Sequence, residues 1–327
     1  MIPAEKQAAV THAMQVAFGT AEMESITPIT IGLSTALTYK IVVLGKAYLL
    51  RVTTRTDAVS DPTHYYKCMQ PAAEAGIAPR VLYASIPGRI SITDFIDAKP
   101  FTMAQARGMM PVLLQRLHAL PPFPYRVNYL DVSNTYVQKY KALNLLPESY
   151  ALVFTQYEKI AAVYPRTTDD WVACHTDLKK DNILYDGEKV WLVDWEAAFL
   201  NDRYVDLAAI ANFIITNREE ETAFLAAYFG EAPTPYQCAR FFLMQQVIHL
   251  FCFCLCASIA GGGQPVDLHQ PVPGFHDFHN GLWEANITLG DNTGKLKYAL
   301  VHLQKFIHNM QLPRFEESLL IVANQQG

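Results

Sequence analysis

One stretch of this chain limits its possible folds more than any other. WVACHTDLKKDNILYDGEKVWLVDW, residues 171–195, is rich in β-branched and aromatic residues and turns at Asp186-Gly187, while the sequence on both sides runs in long helical periods. Segments such as TMAQARGMMPVLLQRLHAL before it and DLAAIANFI and EEETAFLAAYF after it have no strand character. A short hairpin framed by helices presents the residues of its connecting loop from rigid strands.

The first hundred residues follow a different pattern. After one helical segment, ITPITIGLSTALTYKIVVLGKAYLLRVTT reads as three short antiparallel strands, with turns around Gly32-Leu33-Ser34-Thr35 and at Gly45-Lys46. Ser60-Asp61-Pro62 starts a helix that Gly76 and Pro79 stop, and Pro71 should kink or split it. RVLYAS and RISITDFI, separated by Pro87-Gly88, add two strands. The pattern predicts an α+β protein of two lobes: residues 1–97 with a five-stranded antiparallel sheet and a helix, and residues 98–327, mainly helical, carrying the hairpin.

Composition supports that division. The 327 residues are 51% hydrophobic and 17% charged, enough for more than one apolar cluster and unlike a disordered chain. A net charge of -5 and no dense Lys/Arg run leave no basic surface for nucleic acid. The six cysteines fit neither a CxxC zinc pattern nor a secreted disulfide framework, and they read as reduced packing residues. The N-terminus lacks the apolar core of a secretory signal. The most apolar stretch, Val247 to Ala260, is interrupted by His249 and falls short of the roughly 20 residues that cross a bilayer, so it reads as a buried helix of a cytoplasmic protein.

The hairpin segment carries the chemistry. Asp177 and Asn182 stand five residues apart on one loop, and Asp194 follows the second strand. Phosphoryl transfer needs divalent ions on the phosphates and a carboxylate to take or orient the proton of the attacking hydroxyl. Asn182 and Asp194 offer the hard oxygen atoms that suit Mg²⁺, which leaves Asp177 to act on the hydroxyl. His175 has no second His or Cys at ligand spacing and reads as a brace for the loop.

HTDLKKDNIL, LVDWE and NDRYVDLA together resemble the catalytic loop, the metal-binding element and the segment after it in the aminoglycoside phosphotransferase and choline kinase family of the protein-kinase-like superfamily. The resemblance spans nearly the whole chain and implies a bilobal kinase-like fold. It implies Asp177 as catalytic base, Asn182 and Asp194 as Mg²⁺ ligands, and Asp206 as a residue that fixes the loop's shape. Lys179 falls where many kinases place a lysine on the transferring phosphate, although a solvated lysine also fits that place. Gly32, Ser34 and Thr35 are similar to a phosphate-covering loop, and a plain hairpin turn would look the same. Arg51 falls at the strand position that pairs with nucleotide phosphates. Its usual helical glutamate is missing, since the region holds His64-Tyr65-Tyr66 and the nearest acid, Glu74, lies late. Asp94, Phe95 and Ile96 look like the hinge strand whose backbone meets adenine.

The resemblance therefore implies an ATP-dependent kinase, EC 2.7.1-type, acting on a hydroxyl of a small molecule. No activation segment separates Asp194 from VDLAAIA, which argues against a protein kinase. DWE followed by ND and DLA resembles the bacterial choline and ethanolamine kinases, with Glu196 as the contact for the acceptor's cation. The alternative is an aminoglycoside kinase, for which Asp202, Glu219, Glu220 and Glu221 could line the pocket mouth. A catalytically silent kinase fold is the reading from a different class, and the retained Asp177, Asn182 and Asp194 argue against it.

Overall fold

The computed structural model describes residues 2–29, 36–56 and 61–325. Its first elements are helix α1 (Ala4–Phe18) and strands β1 (Ser25–Ile29), β2 (Leu37–Val43) and β3 (Lys46–Val52). Helix α2 (Thr63–Glu74) follows, then β4 (Val81–Ser85) and β5 (Ile90–Asp94). The five strands form one antiparallel sheet in the order β1-β2-β3-β5-β4. Alternation decides which face is covered: Tyr39, Ile41 and Val43 of β2 and Tyr48, Leu50 and Val52 of β3 are buried with Val10, Ala13 and Met14 of α1. Arg51 has the opposite parity and points to the sheet's other face.

Two local expectations shift. The β2–β3 turn is Leu44-Gly45, one residue earlier than read, because both positions take positive φ (49° and 72°), the geometry that matches the twist of a two-residue hairpin. Helix α2 runs through Pro71 without a break. That proline lies in the last turn, where its missing N–H removes one bond and its carbonyl still accepts from the Ala75 N–H at 3.0 Å. Ser60, read as part of the helix start, and the loop residues Gly32, Ser34 and Thr35 lie outside the described residues.

Further along come α3 (Met103–His118), α4 (Tyr129–Ala142), α5 (Ala151–Val163) and β6 (Trp171–Cys174). Then follow the hairpin strands β7 (Ile183–Tyr185) and β8 (Val190–Leu192), β9 (Phe199–Asp202) and helices α6 (Arg203–Ile214) and α7 (Arg218–Phe229). The chain ends with α8 (Pro235–Gly261), α9 (Phe275–Trp283), α10 (Asn292–Met310) and α11 (Pro313–Asn324). The chain packs into two compact units. The first takes residues 1–101, 120–125 and 181–198, so the β7–β8 hairpin belongs with the sheet. The second takes residues 102–119, 126–180 and 199–327.

In the second unit α8 is the central helix, lying against α4, α6, α10 and α11. A Thr234–Gln237 capping box with Pro235 starts it, and Gly262 in the left-handed conformation ends it. Its 27 residues exceed the apolar run visible in sequence, and by length and composition alone it could cross a membrane; 61% of its most apolar window is buried inside the protein. All six cysteines are free thiols.

Candidate active site

In the first unit the hairpin places Asn182 and Asp194 beside each other. The Val193 N–H donates to the Asn182 carbonyl at 3.0 Å, and Asp186 ties the hairpin loop by accepting from the Glu188 and Lys189 N–H groups and from the Trp191 indole at 2.7–2.9 Å. Asn182 is 4% exposed. Asp194 sits at φ 65°, ψ 70°, a backbone conformation costly for a residue with a Cβ and often found where a side chain must be aimed. Its Oδ1 is buried and accepts no hydrogen bond. An aspartate oxygen that accepts no hydrogen bond, one residue past the backbone partner of Asn182, makes these two a hard oxygen donor set that fits Mg²⁺.

Arg51 reaches the same place from β3. Its Nη1 lies 3.7 Å from Asp194 Oδ1, its Nη2 donates to Glu196 Oε1, and its guanidinium lies over the Tyr65 ring at 4.8 Å. Burial works against the charge on Arg51, but Tyr65, Glu196 and Asp194 outweigh it and raise the pKa. The arginine's acids thus come from the segment after β8, while α2 supplies an aromatic face. Glu74, the only acid of α2, accepts from the Gln70 amide at 3.0 Å. Glu196, expected to meet an acceptor's cation, is paired with Arg51 from its place in the turn Trp195–Ala197. At the end of β5, Asp94 pairs with Arg80 and Lys46 at 3.1 and 3.3 Å, and Lys40 lies over the Phe95 ring at 4.5 Å. Ile96, next along, is half-buried.

In the second unit the loop after β6 is held by Asp206 of α6. The Asp206 carboxylate accepts the His175 and Thr176 N–H groups at 2.8 and 2.7 Å, and His118 Nε2 lies 3.2 Å away. Thr176 is at φ 60°, and two charge-assisted bonds, to its own N–H and to that of the residue before it, fix it. His175 and Asp206 are fully buried. His118, Cys174 and Asp206 bring potential ligand atoms within 4.8 Å of one another, yet both Asp206 oxygens serve the backbone and the Cys174 thiol donates to carbonyls at 3.5 Å.

Asp177 emerges from this braced loop with its side chain 36% exposed and paired with Lys179 Nζ at 2.7 Å. Two groups feel its charge, Tyr129 of α4 and Cys252 of α8; burial first, then neighbouring charges including Asp177, raise both pKa values. Around them gather aromatic rings. Tyr129 and Tyr136 lie 5.4 and 5.3 Å from Phe251, and the Cys252 thiol is 3.8 Å from the Tyr298 hydroxyl. Tyr129 and Tyr298 were not singled out from sequence. They stand on α4 and α10, and no spacing in the chain signals that α8 joins them. Phe241, Phe242 and Phe253 are core residues.

Three of the four acids expected to serve a polycationic acceptor are committed elsewhere. Asp202, 6% exposed, accepts from Tyr164, the Tyr204 N–H and Arg240. Glu221 binds Arg314 and Arg218 at 2.6 and 3.2 Å, and Glu220 accepts from Thr216 and pairs with Arg107 at 3.4 Å. Glu219 is an exposed residue of the first turn of α7.

The sequence pattern of the family described as "Phosphotransferase enzyme family" matches residues 25–242. A curated relative, the "Protein LicA homolog" of Metamycoplasma hominis, is 28% identical over 119 residues; the match spans 36% of this chain and less than half, 46%, of that relative. Among solved structures, a choline/ethanolamine kinase family protein from Mesorhizobium loti superposes with a TM-score of 0.69 at 21% identity, over 99% of each chain. A spectinomycin phosphotransferase, solved with ADP and spectinomycin, superposes with a TM-score of 0.55 at 13% identity, over 96% of this chain and 98% of its own. The α+β architecture with its five-stranded sheet is the kinase-like fold of these neighbours.

Proposed function

The chain belongs to the phosphotransferase enzyme family, a kinase-type enzyme with a hydroxyl acceptor, and from that premise we propose that it transfers the γ-phosphate of ATP to a small cationic amino alcohol, choline or a close relative. The observation that carries the acceptor is the surrounding of Asp177. Rings of Tyr129, Tyr136 and Phe251 gather on its side of the second unit, and three of the four acids that could have served a polyamine are bound to arginines or backbone. Aromatic faces attract a quaternary ammonium through their quadrupoles, whereas an aminoglycoside needs several unpaired carboxylates.

Each residue then has a chemical task. Asp177, half-open to solvent and steadied by Lys179, accepts the proton of the acceptor hydroxyl as its oxygen attacks the γ-phosphorus. Lys179 offers positive charge to the phosphoryl oxygens. Asn182 and Asp194 would hold Mg²⁺, which when bound offsets the charge of the phosphate oxygens. Arg51, held by Glu196 and Tyr65, engages the nucleotide phosphates, and Asp206 with His175 fixes the loop. The ADP in the spectinomycin phosphotransferase supports a nucleotide in this role.

The test is ADP release with Mg²⁺-ATP against choline, ethanolamine and a set of aminoglycosides. We expect stimulation by choline or ethanolamine, and a loss of about 10²–10⁴-fold in Asp177→Ala with nucleotide affinity retained. Turnover of an aminoglycoside alone would move the acceptor and keep the residue roles. Full turnover in Asp177→Ala would refute the assigned base.

A further inference from the structure

Around the C-terminal end of α6, the second unit has a half-open cavity of about 180 Å³, with walls from the last turn of α6, from α8 and α10, and from the starts of α7, α9 and α11. At roughly 30 Å³ per water, that is room for about six waters or one small organic ion. Its lining is unbalanced in charge. Lys305, Arg218 and Arg314 contribute three cations, and Glu221 is the single carboxylate among the lining residues. The imbalance of two positive charges stands in a chain whose net charge is -5.

The pairing inside the cavity sharpens the point. Both arginines bind the same Glu221, Arg314 at 2.6 Å and Arg218 at 3.2 Å. Lys305 is half-buried, lies over the Phe275 ring at 5.3 Å, and has no carboxylate partner among the described residues. Burial lowers its pKa, the mark of a cation that lacks a counter-charge. His276, beside it, is lowered by burial and then by Lys305, against the opposing pull of Asp277 and Glu220. In the same wall Asn212, 4% exposed, has an Nδ2 with no acceptor, although its Oδ1 accepts from Gln245 at 3.4 Å. Arg218 is exposed, but Lys305 and Arg314 are half-buried, and a half-buried Lys305 without a carboxylate beside an idle amide donor is costly until an anion takes it up.

The cavity is also apart from the reaction loop. Asp206, which holds that loop, lies at the start of α6, and the lining begins at Ala211, five residues or about 7.5 Å farther along, and continues past the end of the helix to Thr216 and Asn217. We propose that this cavity is a binding site for a phosphate dianion, either free or as the head of a small phosphomonoester. Two negative charges match the excess. Tetrahedral oxygens suit both the compact ammonium of Lys305 and the donors of the arginines.

The full chain, without Mg²⁺ or nucleotide, is titrated calorimetrically with inorganic phosphate and, separately, with phosphocholine. We expect saturable one-to-one binding of at least one of them, weakened tenfold or more in Lys305→Gln, largely kept in Lys305→Arg, and kept in Arg51→Gln. The last variant separates this cavity from a phosphate bound in the first unit. Binding of phosphocholine but not phosphate assigns the source to a phosphomonoester, and binding of phosphate assigns it to the anion itself. No saturable binding of either would overturn the proposal. So would unchanged affinity in Lys305→Gln, with circular dichroism showing it folded, or loss in Arg51→Gln with retention in Lys305→Gln.

Discussion

At the scale of single residues, two carboxylates hold parts of the site through partners that sequence cannot show. Asp206 accepts two adjacent N–H groups, that of His175 and that of the strained Thr176 itself. Asparagine in its place has one acceptor oxygen and turns an N–H donor toward the other amide. Asp206→Asn should therefore lose about 1–3 kcal/mol of stability, read by urea unfolding, and should lower kcat as Thr176 relaxes. Unchanged kcat and unchanged urea midpoint would remove Asp206 from this role. Glu196 stands 145 residues from Arg51, and the pair joins only because the hairpin folds onto the sheet's unit. In a double-mutant cycle with Arg51→Gln and Glu196→Gln, each single change should raise KM for ATP more than it lowers kcat. The coupling should be below about 1 kcal/mol, since the Glu196 side chain is 52% exposed. Strict additivity would show that the two act separately. The loop motif, Asp177 to Asn182, was legible because its residues are neighbours in the chain. The partner of Arg51 and the rings of Tyr129 and Tyr298 were not, because tertiary packing alone brings them there.

Elements show the same division. The β7–β8 hairpin could be read from Asp186-Gly187 between alternating strands, and the five-stranded sheet from its turns, since both signals are local. The inside of the helical unit could not, as His249, His279 and His302 show. They lie far apart in sequence, yet α8, α9 and α10 bury them together, with His249 and His302 Nδ1 atoms 2.9 Å apart. Burial holds His279 down to about 4 and His249 and His302 well below their usual value, with Lys305 or neighbouring histidines adding to the effect. The unfolded chain binds these protons near pH 6.5 and the folded one does not. Their contribution is therefore intact above pH 6.5 and is lost as pH falls toward 4, by about 1.4 kcal/mol per pH unit for each histidine. Urea unfolding between pH 7 and 4.5 should show this slope, and His302→Phe should make it shallower. Stability that stays flat across that range would mean the three are already protonated or exposed.

For the molecule as a whole, the units are not consecutive stretches of chain. A cut near residue 97 was the natural reading of where strand periodicity gives way to helix, and it remains our proposal for the functional lobes. The first compact unit nevertheless includes residues 181–198. The Leu192 N–H donates to the Ile77 carbonyl at 2.9 Å, the Lys99 N–H to the Tyr185 carbonyl at 2.6 Å, and Phe101 stacks on Tyr185 at 5.0 Å. Ile183, Val190, Leu192 and Trp195 are each at most 4% exposed. At about 1.5–3 kcal/mol for each buried side chain, these four add roughly 6–12 kcal/mol of gross apolar burial, before the entropy of ordering the hairpin, to the core they share with the sheet. A fragment of residues 1–101 should thus lack a cooperative urea transition, although its sheet strands are all present. Joining residues 181–198 to it through a flexible Gly/Ser linker should restore one. Cooperative unfolding of 1–101 alone would instead mean that the α1-backed face of the sheet is a sufficient core and that the hairpin adds little to it.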